Sequence, residues 1–145
     1  MISCDTNILY AAIDSRSARH DAARRFLASF QQRDDFALCE LVLVELYGLL
    51  RNPVVSLSPC SAVEAGSVMG KFRSHPRWQI LDYPGPQAGI MDELWKVAAE
   101  PSFAYRRIYD VRLALTLRHY GVTEFATCNK KDFQGFGFGR VWDPL

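Results

Sequence analysis

Neither sign of charge dominates this chain. Its 17 Lys and Arg face 16 Asp and Glu, for a formal net charge of +1. That excludes bulk electrostatic attachment to nucleic acid and leaves only local basic patches open. No apolar run is long enough to span a bilayer. The opening Met1-Ile2-Ser3-Cys4-Asp5 has neither a basic stretch nor a cleavable apolar core. A soluble cytoplasmic protein is therefore expected. Four cysteines, Cys4, Cys39, Cys60 and Cys128, stand far apart. Zinc-knuckle and redox-motif spacings are thus absent, and reduced, mostly buried thiols are expected. His20, His75 and His119 show no metal-ligand spacing either. Gly135-Phe136-Gly137-Phe138-Gly139 lacks the Lys-Ser/Thr of a phosphate loop and reads as a turn. There is no internal repeat and no linker.

What remains is an ordinary globular chain of 145 residues, read as one domain over 1–145. Short apolar runs at Ile2–Asp5, Phe36–Cys39, Trp78–Tyr83 and Phe125–Cys128 read as strands, with a last short one near Val141-Trp142. Between them, apolar residues recur at three- and four-residue spacing. Helices are expected from Ile8, from beyond Ser17 to Phe30, over 40–50, over 61–74, after Pro86 to about Ala99, and over 110–120. Ser61 with Glu64 forms a capping-box pattern, Pro53 ends the third helix, and Gly121 is placed to end the last. Strands alternating with longer helices predict an α/β fold: a mostly parallel central sheet of about five strands, flanked by helices on both faces.

Three carboxylates sit in unusual places on this scheme. Asp5 ends the first strand, where ligands bind in open α/β sheets; it equally suits the cap of the next helix, and the two roles are compatible. Glu45 lies in Leu41-Val42-Leu43-Val44-Glu45-Leu46-Tyr47-Gly48-Leu49-Leu50, apolar on every side, with no Lys or Arg one turn away. It is expected to be buried and to need a partner, either a cation or an arginine from elsewhere in the fold. Asp110 opens Val111-Arg112-Leu113-Ala114-Leu115-Thr116-Leu117, and a plain helix cap accounts for it when taken alone. Together the three would make an all-oxygen site. Such a site suits Mg2+ or Mn2+ better than zinc, and it can activate water against a phosphodiester.

These residues also carry a family resemblance. Asp5-Thr6-Asn7-Ile8-Leu9 after an opening strand resembles the first motif of PIN-domain ribonucleases, most closely the VapC-type toxins of toxin–antitoxin pairs. Glu45 matches the second acidic position. Tyr109-Asp110-Val111-Arg112-Leu113-Ala114-Leu115 is similar to the third motif, and Thr127-Cys128-Asn129-Lys130-Lys131-Asp132-Phe133 to the closing one. The resemblance spans essentially the whole chain. It implies a PIN-like three-layer sandwich, a Mg2+- or Mn2+-dependent endoribonuclease, and a homodimer. Asp5, Glu45 and Asp110 would be the metal ligands. The fourth acidic position holds Asn129, with Asp132 the nearest carboxylate; Asp132 would either reach the metal through water or cap a turn. Asn129 would orient water or substrate, and Thr6 and Asn7 would hold Asp5.

For substrate, Arg112, Lys130 and Lys131 fall near these motifs and could meet phosphate, although each also reads as a solvated charge. Tyr105-Arg106-Arg107-Ile108-Tyr109 suits single-stranded RNA or an ordinary connecting loop. The face with Arg19, Arg24, Arg25 and Arg33 could bind RNA or an acidic antitoxin tail, and reads first as a solvated face. The resemblance further implies a small antitoxin whose C-terminal segment covers the site. A phosphatase of the haloacid dehalogenase type would show Asp-x-Asp after the first strand, where this chain has Asn7. The remaining alternative is a catalytically silent PIN-like module that binds RNA or protein.

Overall fold

A computed structural model describes residues 1–145. Five strands, β1 (Ile2–Cys4), β2 (Phe36–Cys39), β3 (Gln79–Leu81), β4 (Glu124–Ala126) and β5 (Arg140–Trp142), form one sheet in the order β3-β2-β1-β4-β5. Every pairing is parallel, which makes the sheet wholly rather than mostly parallel. The strands are only three or four residues long. β1 and β2 are buried at every position, while the edge strands β3 and β5 carry exposed Gln79 and Arg140. That is why the central strands read as uninterrupted apolar runs rather than as alternating ones.

Six helices cover the sheet: α1 (Thr6–Ile13), α2 (His20–Ala28), α3 (Glu40–Arg51), α4 (Ala62–Arg73), α5 (Ile90–Ala98) and α6 (Arg107–His119). α1 packs on α2 and α3, α3 on α4, and α5 on α6. Right-handed crossovers running first toward β3 and then back to β4 put α1–α4 on one face and α5–α6 on the other. The capping box at Ser61 is formed: the Ser61 hydroxyl accepts from the Glu64 amide, and the Glu64 carboxylate accepts from the Ser61 amide. Gly121, at φ +78°, takes the left-handed turn after α6, where Val122 N–H returns to the Leu117 carbonyl.

Two helices depart from the sequence pattern. α2 ends at Ala28, yet Phe30 still reaches the core and stacks on Phe36 at 4.6 Å. Core burial holds it without a helical backbone. α6 starts three residues before Asp110, so Asp110 sits inside the first turn rather than capping it. All four cysteines are free; Cys4 and Cys39 are buried, Cys60 and Cys128 half-buried. No helix is long and apolar enough to cross a membrane.

Candidate active site

The chain leaves β1 toward β2 on one side, while β4 lies on the other. This divergence opens a crevice at the carboxyl ends of β1 and β4, the usual ligand position in such sheets. A cleft of about 880 Å³ occupies it. Asp5, Thr6, Asn7, Glu45, Asp110, Arg112 and Asn129 all line it.

Asp5 is 7% exposed and stands at the N-cap of α1. Its Oδ1 accepts from the Thr6 amide at 2.8 Å. Its Oδ2 accepts from Asn7 Nδ2 at 2.6 Å and from the Thr127 hydroxyl at 2.7 Å. The capping and active-site readings of Asp5 thus coexist in one geometry. Burial pushes its carboxyl above the ordinary range and Glu45 adds repulsion, whereas the bonds from Thr127, the Thr6 amide and Asn7 pull it back.

Asn7 ties the two strand ends together. Its carbonyl oxygen accepts from the Cys128 amide at 3.2 Å, and its amide nitrogen also reaches the Thr127 hydroxyl at 3.3 Å. Thr127 is fully buried and receives the Asn129 amide at 2.9 Å. Thr127 was visible in the sequence only as part of the closing motif. The uncharged residue that follows a short apolar strand gives no signal of contact with a side chain 122 positions away.

Glu45 corrects the expectation of a buried carboxylate. It is exposed on the cleft side of α3, beside Val44 at 60% exposure. One apolar flank of α3 lines open cleft rather than core, so a helix apolar on every side is not buried on every side. Its partner is neither an arginine nor an internal ion pair: Oε2 accepts from the Thr6 hydroxyl at 2.5 Å. Thr6 therefore holds two carboxylates, Asp5 through its backbone and Glu45 through its side chain.

Asp110 is half-buried and its carboxyl is pushed up to about 6. Burial is the largest cause, followed by the negative charges of Asp132, Asp5 and Glu45, against a small opposing effect of Arg107. Asp132 does not line the cleft. It sits in the short turn Lys130–Phe133, near enough for its charge to act on Asp110. Lys130 and Lys131 are exposed and also lie outside the cleft wall. The basic groups on that wall are Arg19, Arg106 and Arg112. Arg19 is exposed, yet it is engaged: it donates to Cys128 Sγ at 3.1 Å and pairs with Asp143 at 3.2 Å. Of the Tyr105–Tyr109 segment, Arg106 and Tyr109 face the cleft.

The donor set is carboxylate oxygen with an excess of negative charge, which fits a hard divalent cation. No three His, Cys, Asp or Glu side chains are gathered tightly enough to close a coordination shell as they stand. An open set of this kind suits an ion that keeps several of its waters. Asp110, raised first by burial, is raised further by the charges of Asp132, Asp5 and Glu45, which is the same excess of negative charge.

A five-stranded parallel sheet with carboxylates at its β1–β4 crevice defines the PIN fold, and the chain belongs to the PIN domain family, whose profile matches residues 2–138. The chain is 52% identical over 145 residues to Ribonuclease VapC24 of Mycobacterium tuberculosis, in strains H37Rv and CDC 1551 / Oshkosh, covering 100% of this chain and 97% of that protein. Among solved structures, FitAcB from Neisseria gonorrhoeae superposes with a TM-score of 0.66 at 19% identity, covering 99% of this chain and 98% of that one. VapBC2 from Rickettsia felis, bound to a DNA fragment from their promoter, gives 0.65 at 19% identity over 99% and 98%. The sarcin-ricin loop cleaving toxin VapC20 of M. tuberculosis gives 0.63 at 18% identity over 86% and 87%. At these identities the likeness is one of fold.

Proposed function

We propose that this protein is a Mg2+- or Mn2+-dependent endoribonuclease, the toxin of a VapBC-type toxin–antitoxin pair. The observation that carries the reading is the meeting of Asp5, Glu45 and Asp110 in one cleft, with Asp110 pushed up to about 6 by burial and then by its acidic neighbours. Full-length identity of 52% to a ribonuclease of the VapC type supports the same chemistry.

Asp5, Glu45 and Asp110 would hold the cation, and Asp132 would add its negative charge from behind Asp110. When bound, a divalent cation supplies a water nucleophile at neutral pH and stabilises charge on the phosphate. Thr6, Asn7 and Thr127 fix the Asp5 carboxylate so that it need not reorganise during reaction. Arg112 and Arg106 on the cleft wall would take the RNA phosphates, and Asn129 would orient substrate or water. No side-chain nucleophile is required.

The partner would be a small antitoxin with a segment laid over the cleft. Leu41, Val44 and Leu49 give that cleft apolar surface alongside its charges, which suits an amphipathic peptide. A homodimer in the cytoplasm completes the proposal.

The test is cleavage of a panel of single-stranded RNAs with Mg2+, Mn2+ or EDTA, comparing wild type with Asp5→Asn. Metal-dependent cutting that Asp5→Asn reduces by orders of magnitude is expected. Cutting that survives EDTA, or that is equal in the two proteins, would sink the assignment. Failure of a neighbour-encoded small protein to co-purify or inhibit would remove the toxin–antitoxin part while leaving the nuclease.

A further inference from the structure

A second cavity, of about 290 Å³, opens beside the cleft between the loop after β3, the start of α5 and α6. Tyr83 and Arg112 line both cavities. The Arg112 guanidinium lies over the Tyr83 ring, 5.2 Å from its centroid. The pair is therefore a shared wall between the carboxylate cleft and the side cavity.

The chemistry of the side cavity differs from that of the cleft. Tyr83 is 47% exposed and Met91 43% exposed, and with Ile90 they present apolar surface to the space. Asp92 stands on the same wall with an exposed carboxylate. Ligand pockets run from about 300 Å³ upward, so this one suits a single flat group rather than a folded segment. The carboxylate of Asp92 disfavours a phosphate there and favours a ligand that presents N–H donors. An aromatic face, an arginine plane and an N–H acceptor around a small apolar space are the requirements for one unstacked nucleobase.

We propose that this side cavity is a base subsite: it takes one nucleobase carrying an amino or imino N–H, next to the phosphate held in the main cleft. The base stacks on Tyr83 beside Arg112, and Asp92 accepts from its N–H edge. Uracil, whose edge offers two carbonyls and one N–H, fits less well than a base with an exocyclic amine. The subsite rests on the reading of the cleft as an RNA site and would set sequence preference rather than perform chemistry.

The test uses the full chain in EDTA, so that binding is read without metal-dependent cutting. The probe is a short oligouridylate carrying a single 2-aminopurine, whose emission falls on stacking. Wild type is expected to quench it. Tyr83→Leu should relieve the quenching and weaken binding roughly tenfold, the scale of one lost base–aromatic stack. Asp92→Asn should keep the stacking but reduce the preference for the aminopurine oligomer over plain oligouridylate. Both positions are exposed, and circular dichroism of each variant checks that the fold is kept. Unquenched probe with wild type, or equal quenching and affinity in wild type and Tyr83→Leu, would overturn the subsite. Metal-dependent RNA cutting with no aminopurine response would remove the subsite and leave the nuclease. Quenching that needs Tyr83 without any cutting would do the reverse.

Discussion

The Thr127 hydroxyl donates to Asp5 Oδ2 at 2.7 Å, joining the ends of β4 and β1 across 122 positions of sequence. The same hydroxyl accepts the Asn129 amide at 2.9 Å, so its proton is directed at Asp5. Thr127→Val removes the bond while keeping the shape. We expect metal affinity or RNA cleavage to fall by about 10- to 100-fold, the usual cost of losing an outer partner of a metal-binding group. Thr127→Ser should recover most of it. Calorimetric Mn2+ titration together with cleavage rates checks this, and a Val variant equal to wild type in both would remove Thr127 from the site.

Thr6 contributes differently. Its hydroxyl holds Glu45, which is otherwise exposed to water. Thr6→Val should therefore loosen one solvated carboxylate while leaving Asp5 capped by the backbone amide. A smaller loss of cleavage than in Asp5→Asn is expected, on the order of tenfold. A loss as large as that of Asp5→Asn would mean that Thr6 does more than position Glu45.

The acid cluster sets a pH dependence with a definite sign. In the folded, metal-free protein the Asp110 carboxyl is raised to about 6, and Asp5 is raised as well. A raised carboxyl binds its proton more tightly folded than unfolded. Its contribution to stability is thus full below the ordinary carboxylate range and is lost as pH rises through about 6. Asp14, Asp35 and Glu64 are shifted downward by their partners and act only at lower pH, whereas His75, lowered by burial, works against the Asp110 effect in this window. In EDTA, lowering the pH from 7.5 to 5.5 should therefore favour the melting temperature of the wild type more than that of Asp110→Asn, which lacks the Asp110 contribution. Mn2+ affinity should move the opposite way, falling below about pH 6 as protons compete for the ligands. An equal pH response in wild type and Asp110→Asn would contradict the raised Asp110 carboxyl.

Ser3 makes a prediction about stability alone. It is fully buried in β1, and its hydroxyl has no hydrogen-bond partner. Ser3→Ala removes an unsatisfied polar group from the core without opening a large cavity. We expect stability to rise by about 1 kcal/mol, read as a higher denaturant midpoint at unchanged slope. An unchanged or lower midpoint would mean that the hydroxyl is satisfied in solution.

The sequence by itself determined the layers and pointed to the carboxylates that line the cleft. Strands buried on both faces need continuous apolar runs, and helices packed on one side need three- and four-residue periodicity, so both patterns are written locally. Asp5, Glu45 and Asp110 could be singled out because a carboxylate amid apolar residues calls for a local explanation. What the sequence could not state was the surroundings of each group. The apolar flank of α3 looks the same whether it faces core or cleft; only the placement of α3 beside the crevice left Val44 and Glu45 exposed. Asp110 became a first-turn residue rather than a cap because α6 begins at Arg107, three residues before it. Lys130 and Lys131 fell outside the cleft and Arg106 inside it because chain order does not fix which way a turn faces. The bond between Thr127 and Asp5, and the wall shared by Tyr83 and Arg112, exist only because a parallel sheet brings distant strand ends to one edge. Such contacts depend on topology rather than on local propensity, and the tertiary structure alone decided them.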